Sequence, residues 1–206
     1  MDETFSALRR FVRPREAVEQ CDLCSVGLPP EHSHLFEPLT RHIQCACEAC
    51  SILFSNRGDG RFLRVPRDAT YLADFQISDE EWNGLQLPIQ LAFLFWNSMG
   101  NRVVAMYPSP AGATESLLSL DAWSDIVDDN PVLKNMQPDI EALLINRVGD
   151  KREYYIAPID ECYKLVGLIR MNWRGLSGGT EVWREINRFF DELRSRSTNR
   201  KELTNA

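Results

Sequence analysis

The chain has 206 residues, of which 44% are hydrophobic and 10% aromatic, which is enough apolar material to bury a full core. Its 30 acidic and 23 basic residues give a formal net charge of −7, so the chain repels polyanions and no nucleic acid is expected as a partner. The longest apolar run, Leu91 to Trp96, is far shorter than the ~20 residues of a membrane-spanning helix, and we expect no membrane span.

The first residues predict a short helix and a cytoplasmic location. Phe5, Leu8, Phe11 and Val12 recur at roughly helical spacing before Pro14, which predicts an amphipathic helix within residues 1–18. The same stretch lacks the basic start and the apolar segment of an export signal, so we expect a cytoplasmic protein. Thiols stay reduced in the cytoplasm, where clustered cysteines indicate metal binding rather than disulfides.

Residues 19–57 are predicted to form a Cys-rich metal-binding module. Five of the six cysteines lie there, as Cys21-Asp22-Leu23-Cys24 followed by Cys45, Cys47 and Cys50. Two Cys-x-x-Cys knuckles supply the four thiolates of a tetrahedral zinc site, so the simplest ligand set is Cys21, Cys24, Cys47 and Cys50. A second knuckle that opens a helix after a hairpin predicts a treble-clef or zinc-ribbon-like arrangement.

Cys45 leaves the ligand set open, because its spacing from Cys47 allows a competing Cys-x-Cys pair. It is interpreted as a small buried residue, a substitute ligand, or a free thiol available for metal transfer. His32 and His34 alternate between the knuckles and are alternative ligands or hydrogen-bonding neighbours of the metal. Because the cysteines already suffice for the metal, surface or hairpin-packing roles are favoured for both histidines. Zn²⁺ is the preferred ion, and iron or an iron–sulfur cluster is the alternative for the same thiolates. Cys162 instead lies on an apolar helical stripe, which predicts a place in the core.

Residues 58–196 predict an α+β domain, followed by a flexible tail at 197–206. Strands are predicted at 90–97 and 102–107, and again at 140–148 and 154–159, each pair joined by a turn rich in Gly, Asn or Asp. Helices are predicted after Asp121, after Asp160 and after Gly178-Gly179-Thr180, with the two aspartates as caps. Hairpins that alternate with helices indicate a mainly antiparallel sheet with helices on one face.

The larger domain lacks the usual residues of catalysis. The three histidines, at positions 32, 34 and 42, all lie in the Cys-rich module, so residues 58–196 contain no histidine to act as a general base. Neither a Walker loop nor a Rossmann glycine motif occurs. We therefore expect a non-enzymatic protein. A treble-clef hydrolase that uses His32 or His34 is an alternative, which four thiolates around the metal disfavour.

Two stretches of small residues are candidate partner loops. Pro110, Gly112 and Thr114 follow a predicted strand, where a partner's backbone can approach closely, although an ordinary connection explains the run as well. Arg174, Gly178 and Gly179 surround a helix entry that is either an anion site or a plain N-cap turn. Four tryptophans can form a docking surface, but side chains of this size are more often buried, and we expect core positions for Trp96, Trp123, Trp173 and Trp183.

Motifs spread over most of the chain resemble a known family. They are Cys21-Asp22-Leu23-Cys24, Glu31-His32-Ser33-His34-Leu35, Cys45-Ala46-Cys47-Glu48-Ala49-Cys50, the stretch from Tyr107 to Ser116, and Trp173-Arg174-Gly175-Leu176-Ser177-Gly178-Gly179. The chain resembles an uncharacterised bacterial domain family encoded beside high-affinity nickel–iron uptake hydrogenases. The resemblance implies an accessory role in hydrogenase assembly, maturation or partnering, with a hydrogenase subunit or a maturation factor as the partner, and it supplies no catalytic residue. The alternative is a redox or metal-delivery protein that uses an iron or iron–sulfur centre at the Cys cluster.

Overall fold

The computed structural model of the chain describes residues 19–55, 60–116, 123–175 and 178–199. The helix predicted within residues 1–18 lies outside these ranges, as does Asp121, the predicted cap of a later helix. Among the described helices, none combines the length and the apolar character that crossing a membrane requires.

The first part of the described chain is a small sheet with one helix. Strands β1 (Ser33–Glu37) and β2 (His42–Ala46) form an antiparallel hairpin, β3 (Leu63–Arg64) adds to the outer side of β1, and helix α1 (Glu48–Ser55) follows β2. Leu35 of β1 and Ala46 of β2 are fully buried and form a cluster with Phe62. The order of knuckle, hairpin and helix is the one that the treble-clef prediction requires.

A second and larger sheet forms the body of the protein. Its strands are β4 (Thr70–Tyr71), β5 (Leu91–Asn97), β6 (Arg102–Ser109), β7 (Gly112–Glu115), β8 (Glu141–Asn146), β9 (Glu153–Pro158) and β10 (Thr198–Asn199). They lie in the order β10-β4-β9-β8-β5-β6-β7, and every neighbouring pair is antiparallel except β10 and β4. The predicted α+β class is confirmed, and both predicted hairpins occur, as β5–β6 and β8–β9.

The two faces of this sheet bury alternate residues of each central strand. On β5, Phe93 and Phe95 enter one core cluster, whereas Ala92 and Leu94 enter the other. Since both faces are covered, neighbouring residues of the strand are all apolar, and β5 has the continuous apolar sequence of a doubly buried strand.

Helices cover the two faces differently. On the face of Phe93 lie the two long helices, α4 (Ile159–Asn172) and α5 (Gly179–Arg196), as predicted. The opposite face is also covered, by the short helices α2 (Asp79–Gly84) and α3 (Trp123–Asp129) and by a 3-10 helix (Pro131–Asn135). Helix α3 is the one predicted after Asp121, although it lies on the face opposite the two long helices, whereas α2 and the 3-10 helix were not predicted. These segments bury Trp82, Leu85 and Ile126.

The stripe predicted for α4 is buried, and it comprises Cys162, Leu165, Val166 and Ile169. Cys162 therefore has the core position that its spacing predicted. The predicted capping role of Asp160 is wrong, because the helix begins at Ile159 after Pro158, and Asp160 lies within the first turn. The Asp160 carboxylate instead lies against the ring of His34.

The tryptophans follow the predicted burial only in part. Trp96 and Trp183 are 37% and 40% exposed, so the prediction that they lie in the core is wrong. Trp123 and Trp173 are partly buried and pack against the two core clusters.

Several contacts extend across the predicted segment boundaries. Strand β3 completes the hairpin sheet from beyond residue 57, and Phe36 of the hairpin belongs to the core cluster of the larger sheet. At the other end, Thr198 and Asn199 pair with Thr70 and Tyr71, so the first residues of the predicted tail belong to the large sheet. Residues 200–206 lie outside the described part of the chain.

Candidate metal centre

Four cysteine sulfurs converge at one point. The Sγ atoms of Cys21, Cys24, Cys47 and Cys50 all lie within 4.8 Å of one another, and those of Cys24 and Cys47 are 3.8 Å apart. An ion with tetrahedral bonds of about 2.3 Å separates its sulfur ligands by about 3.8 Å, which matches this spacing. The geometry therefore fits a single ion.

The first knuckle is a tight turn that directs two sulfurs to the same side. Ser25 donates its N–H to the carbonyl of Cys21 at 2.8 Å, and Cys21 donates its own N–H to the carbonyl of Val26 at 2.9 Å. The turn takes Ser25 into the left-handed region, with φ 61°. Of the two cysteines in this turn, Cys21 is buried and Cys24 is exposed.

The second knuckle uses the start of a helix. Cys47 directly precedes α1, and Cys50 lies in its first turn and donates its N–H to the Sγ of Cys47 at 3.4 Å. The first N–H groups of a helix have no partner within the helix and carry a partial positive charge, which stabilises thiolates there. The sequence therefore places two sulfurs where negative charge is favoured.

The two knuckles are also joined directly. Asp22 donates its N–H to the carbonyl of Cys45 at 2.9 Å, and the Cys45 N–H donates to the Asp22 carboxylate at 2.7 Å. Apart from the cysteines, the apolar cluster around them is small: Leu28 is buried, and Leu23 and Phe54 are partly buried. So small a cluster gives little stability by itself, and a bound ion would supply much of what holds the knuckles together.

The thiols of this cluster differ in how readily they lose a proton. Burial raises the pKa of Cys21, but hydrogen bonds from the backbone of Cys47, Leu23 and Cys24 outweigh it, and the pKa is lowered to about 6. Burial and hydrogen bonds with the other thiols raise the pKa of Cys50 to about 12. The cluster thus accommodates one thiolate easily, and a cation is needed before all four sulfurs can be negative.

A second group of candidate ligands lies beside the first. One ligand atom each from His32, His34 and Cys45 lie within 4.8 Å of one another. Cys45, predicted as an alternative to Cys47, is therefore grouped with the two histidines, and Cys47 belongs to the four-sulfur cluster. His32 and His34, predicted as alternative ligands of the same ion, likewise group apart from the four sulfurs.

The contacts of two carboxylates near these groups, Asp160 and Asp22, were not predicted from the sequence. The Oδ2 atom of Asp160 lies 2.6 Å from Nδ1 of His34, although 126 positions separate the residues. A contact over such a distance leaves no local signal in the sequence. Asp22 lies inside the first Cys-x-x-Cys motif, and this position was the available signal for its role in joining the knuckles.

The candidate partner loop after β6 is a tight hairpin. Pro110 lies in its turn, and Gly112 and Thr114 belong to β7, the edge strand of the large sheet. The hydroxyl of Thr114 donates to that of Ser109 at 3.1 Å, which fastens the two strands near the turn. On the side of β7 that faces away from β6, no further strand pairs with it among the described residues.

The second candidate loop joins α4 to α5. Arg174 donates its backbone N–H to the carbonyl of Gly178 at 3.0 Å, and Gly178 and Gly179 have φ angles of 85° and 74°. A Cβ atom on Gly178 would lie 2.8 Å from Val182. The glycines are therefore needed by the turn itself, and a role in partner binding stays a prediction.

Comparison with known proteins identifies the family but no characterised relative. The profile described as "Family of unknown function (DUF5947)" matches residues 20–197. The chain belongs to this family. No curated protein and no solved structure matches the chain. The matched region includes both cysteine knuckles and both long helices, so the possible metal site and the α+β body are parts of one family unit.

Proposed function

We propose that the protein is a non-enzymatic accessory protein, in which a structural Zn²⁺ held by Cys21, Cys24, Cys47 and Cys50 stabilises the hairpin module, defined as the first knuckle, strands β1 to β3 and helix α1, which packs on the α+β body. The observation that carries this proposal is the convergence of four sulfurs within 4.8 Å of one another from two knuckles far apart in sequence. Four thiolates around one ion leave no position for water or substrate, which favours a structural role over catalysis.

The hairpin module is anchored in the body on one side and exposes apolar side chains to solvent elsewhere. Phe36 is anchored in the core of the body, whereas Leu39 at the hairpin turn is 75% exposed and Leu53 on α1 is 58% exposed. Exposed apolar side chains on a rigid support suit a protein-binding surface. We propose that this surface binds its partner in the cytoplasm, where the cysteines stay reduced.

The partner we propose is a nickel–iron hydrogenase subunit or one of its maturation factors. This step rests on the sequence resemblance described above. The test is co-purification from the native host with a tagged copy, together with hydrogen uptake in a deletion strain. Recovery of a hydrogenase component and a loss of uptake would support the proposal. If no such component is recovered and uptake is unchanged, the hydrogenase role fails while the metal site remains to be judged separately.

Elemental analysis tests the metal site. Protein purified without added metal is expected to retain one tightly held zinc per chain. Cys47→Ser should lose this metal, and Cys45→Ser, a change of the same type two residues away, should keep it. A metal content that is unchanged in Cys47→Ser would contradict the proposed ligand set.

Colour distinguishes the zinc proposal from its alternative. Zn²⁺ gives a colourless protein, whereas iron held by four thiolates absorbs visible light, and this absorption bleaches when dithionite reduces the ion. A coloured, redox-active protein would replace the structural role with electron transfer or metal delivery. The same absorption would then report binding of the partner to this protein.

A further inference from the structure

His32, which directly precedes β1, lies close to His34 and Cys45 of the hairpin, and the four-cysteine site uses none of the three. His34 on β1 is the direct cross-strand partner of Cys45 on β2, so both side chains project from the same face. The ring of His32 meets that of His34 edge to face, with the centroids 4.8 Å apart. The hairpin register therefore brings two imidazoles and one thiol to a single point.

The buried ring of His32 has one nitrogen without a hydrogen-bond partner. Its side chain is only 5% exposed, and its Nδ1 lies 3.0 Å from the carbonyl oxygen of Pro29. A neutral imidazole that donates from Nδ1 has an electron pair free on Nε2. This Nε2 is buried and makes no hydrogen bond. Leaving a buried polar atom unpaired is unfavourable, and a ligand at this position would remove that cost.

His34 is fixed in the same tautomer by a carboxylate. The Oδ2 atom of Asp160 lies 2.6 Å from Nδ1 of His34, so Nδ1 is occupied and Nε2 is the nitrogen left for another ligand. A carboxylate that holds the second nitrogen of an imidazole is the usual support for a metal-binding histidine. Asp160 belongs to the first turn of α4 and is thus held by the body of the protein.

From this arrangement we propose a second metal site, in which Nε2 of His32, Nε2 of His34 and Sγ of Cys45 bind a divalent transition metal. Two imidazoles and a thiolate suit Zn²⁺ and chemically similar ions such as Co²⁺. Three protein ligands leave one coordination position open, unlike the four sulfurs of the neighbouring site. A metal here would therefore keep one coordination position for a further ligand, whereas the four-cysteine site is closed.

The charges around the group favour a cation. The carboxylate of Asp22 accepts the Cys45 N–H, Glu19 lies 3.7 Å from Nδ1 of His32, and Asp160 faces His34. Glu19 and Asp22 belong to the segment of the first knuckle, and Asp160 belongs to α4, so carboxylates from two separate parts of the chain lie at this cluster. Their negative charge lowers the cost of bringing a divalent ion beside the histidines.

The test is a titration of the zinc-loaded protein with Co²⁺, whose bond to a thiolate gives a near-ultraviolet charge-transfer band. The wild type is expected to bind one Co²⁺ per chain with this band while retaining the zinc of the four-cysteine site. Cys45→Ala should abolish the band, and His34→Ala should weaken binding at least tenfold. His42→Ala is the matched control, because His42 lies on the same hairpin but is exposed and outside the cluster. Retained zinc in each variant verifies that the module has folded.

Asp160→Asn separates the positioning role of the carboxylate from direct binding. The charge-transfer band should keep its shape, because the ligands are unchanged, while the affinity for Co²⁺ falls by about 10- to 100-fold. Three results would overturn the proposal: no Co²⁺ binding by the wild type, binding that survives Cys45→Ala and His34→Ala unchanged, or loss of the tightly held zinc on Cys45→Ala. The last result would assign Cys45 to the first site. If the wild type binds Co²⁺ but no partner is found, only the accessory role fails.

Discussion

The imidazole of His34 and the carboxylate of Asp160 join the hairpin module to the body of the protein. Their Nδ1 and Oδ2 atoms are 2.6 Å apart, and the side chains are 26% and 19% exposed. His34 lies on the first strand of the hairpin, and Asp160 lies in the first turn of α4. This contact and the burial of Phe36 fix the hairpin on the long helix, so the module does not depend on its own small core alone.

Loss of this contact should weaken the attachment of the module. We expect Asp160→Ala to reduce the free energy of unfolding by about 1–3 kcal/mol, because a partly buried hydrogen bond to an ionised group is lost. Urea denaturation in the presence of a chelator measures this effect without a contribution from metal. Glu80→Ala is the control, since Glu80 is an exposed acidic residue in the first turn of α2. Equal stability of the two variants would contradict the structural role of the contact.

Removal of the metal should loosen the module and leave the large sheet intact. The cysteine cluster buries only a few apolar side chains, whereas the large sheet has core clusters on both faces. Hydrogen exchange should therefore become faster by a factor of ten or more between Cys21 and Cys50 after treatment with a strong chelator. The amides of β8 and β9 should keep their protection. A global increase in exchange would indicate that the metal stabilises the whole fold.

Binding of zinc should release protons in a number that the thiol pKa values determine. Cys21, with a pKa of about 6, is already ionised at pH 8, whereas Cys50, with a pKa of about 12, still carries its proton. The pKa of Cys24 is raised as well. A hydrogen bond from the Val26 backbone lowers this pKa, but hydrogen bonding to Cys21 and burial outweigh that effect. Calorimetric titration of the metal-free protein in buffers of different ionisation enthalpy measures the number released. We expect one proton each from Cys24 and Cys50, and none from Cys21.

The sign of the pH dependence follows from the same values. The pKa of Cys21 is below its ordinary value of 9.0, so its thiolate stabilises the folded metal-free protein above about pH 9, and this contribution is lost as the pH falls through 6. Cys21→Ser should remove this part of the pH dependence. Cys162→Ser is the control, because burial raises the pKa of Cys162 and its thiol stays protonated in this range.

The two helix-associated glycines Gly178 and Gly167 should respond in opposite ways to alanine. Gly178 has φ 85°, and an added Cβ would lie 2.8 Å from Val182 and 3.2 Å from Trp173, so Gly178→Ala should cost about 1–3 kcal/mol. Gly167 lies inside α4, where a Cβ meets nothing within 4 Å. Gly167→Ala should stabilise the protein by about 0.5–1 kcal/mol, because alanine favours the helix. Thermal unfolding of both variants checks the two signs together.

Local sequence patterns were sufficient to predict the hairpins, the two long helices and the cysteine knuckles. Each of these features depends on residues close in sequence: the apolar run of β5, the spacing of Cys162 and Ile169 on α4, and the two residues between Cys47 and Cys50. The predicted Cys-x-x-Cys set is also the set that the fold brings together. Short-range spacing carries this information because turns and helices fix the positions of near neighbours.

Features that depend on the tertiary fold were not predictable in the same way. The cover on the second face of the sheet comes from short segments, in which α2 has six residues and buries Trp82. Six residues show too few turns for a helical pattern to be recognised. Asp160 was assigned as a cap from its position before an apolar stripe, whereas its actual partner, His34, lies 126 positions away. Cys45 likewise lies apart from the four-cysteine site because the hairpin register pairs it with His34, and this register is a property of the fold.

The pairing of β10 with β4 has a consequence for the order of folding. The β5–β6 and β8–β9 hairpins join residues that are close in sequence, so their strands can pair soon after they are synthesised. Thr198 and Thr70 are partners 128 positions apart, and their pairing requires α5 to be complete. We therefore expect the outer side of β4 to be the last edge of the sheet to close during synthesis, with β10 as the strand that closes it.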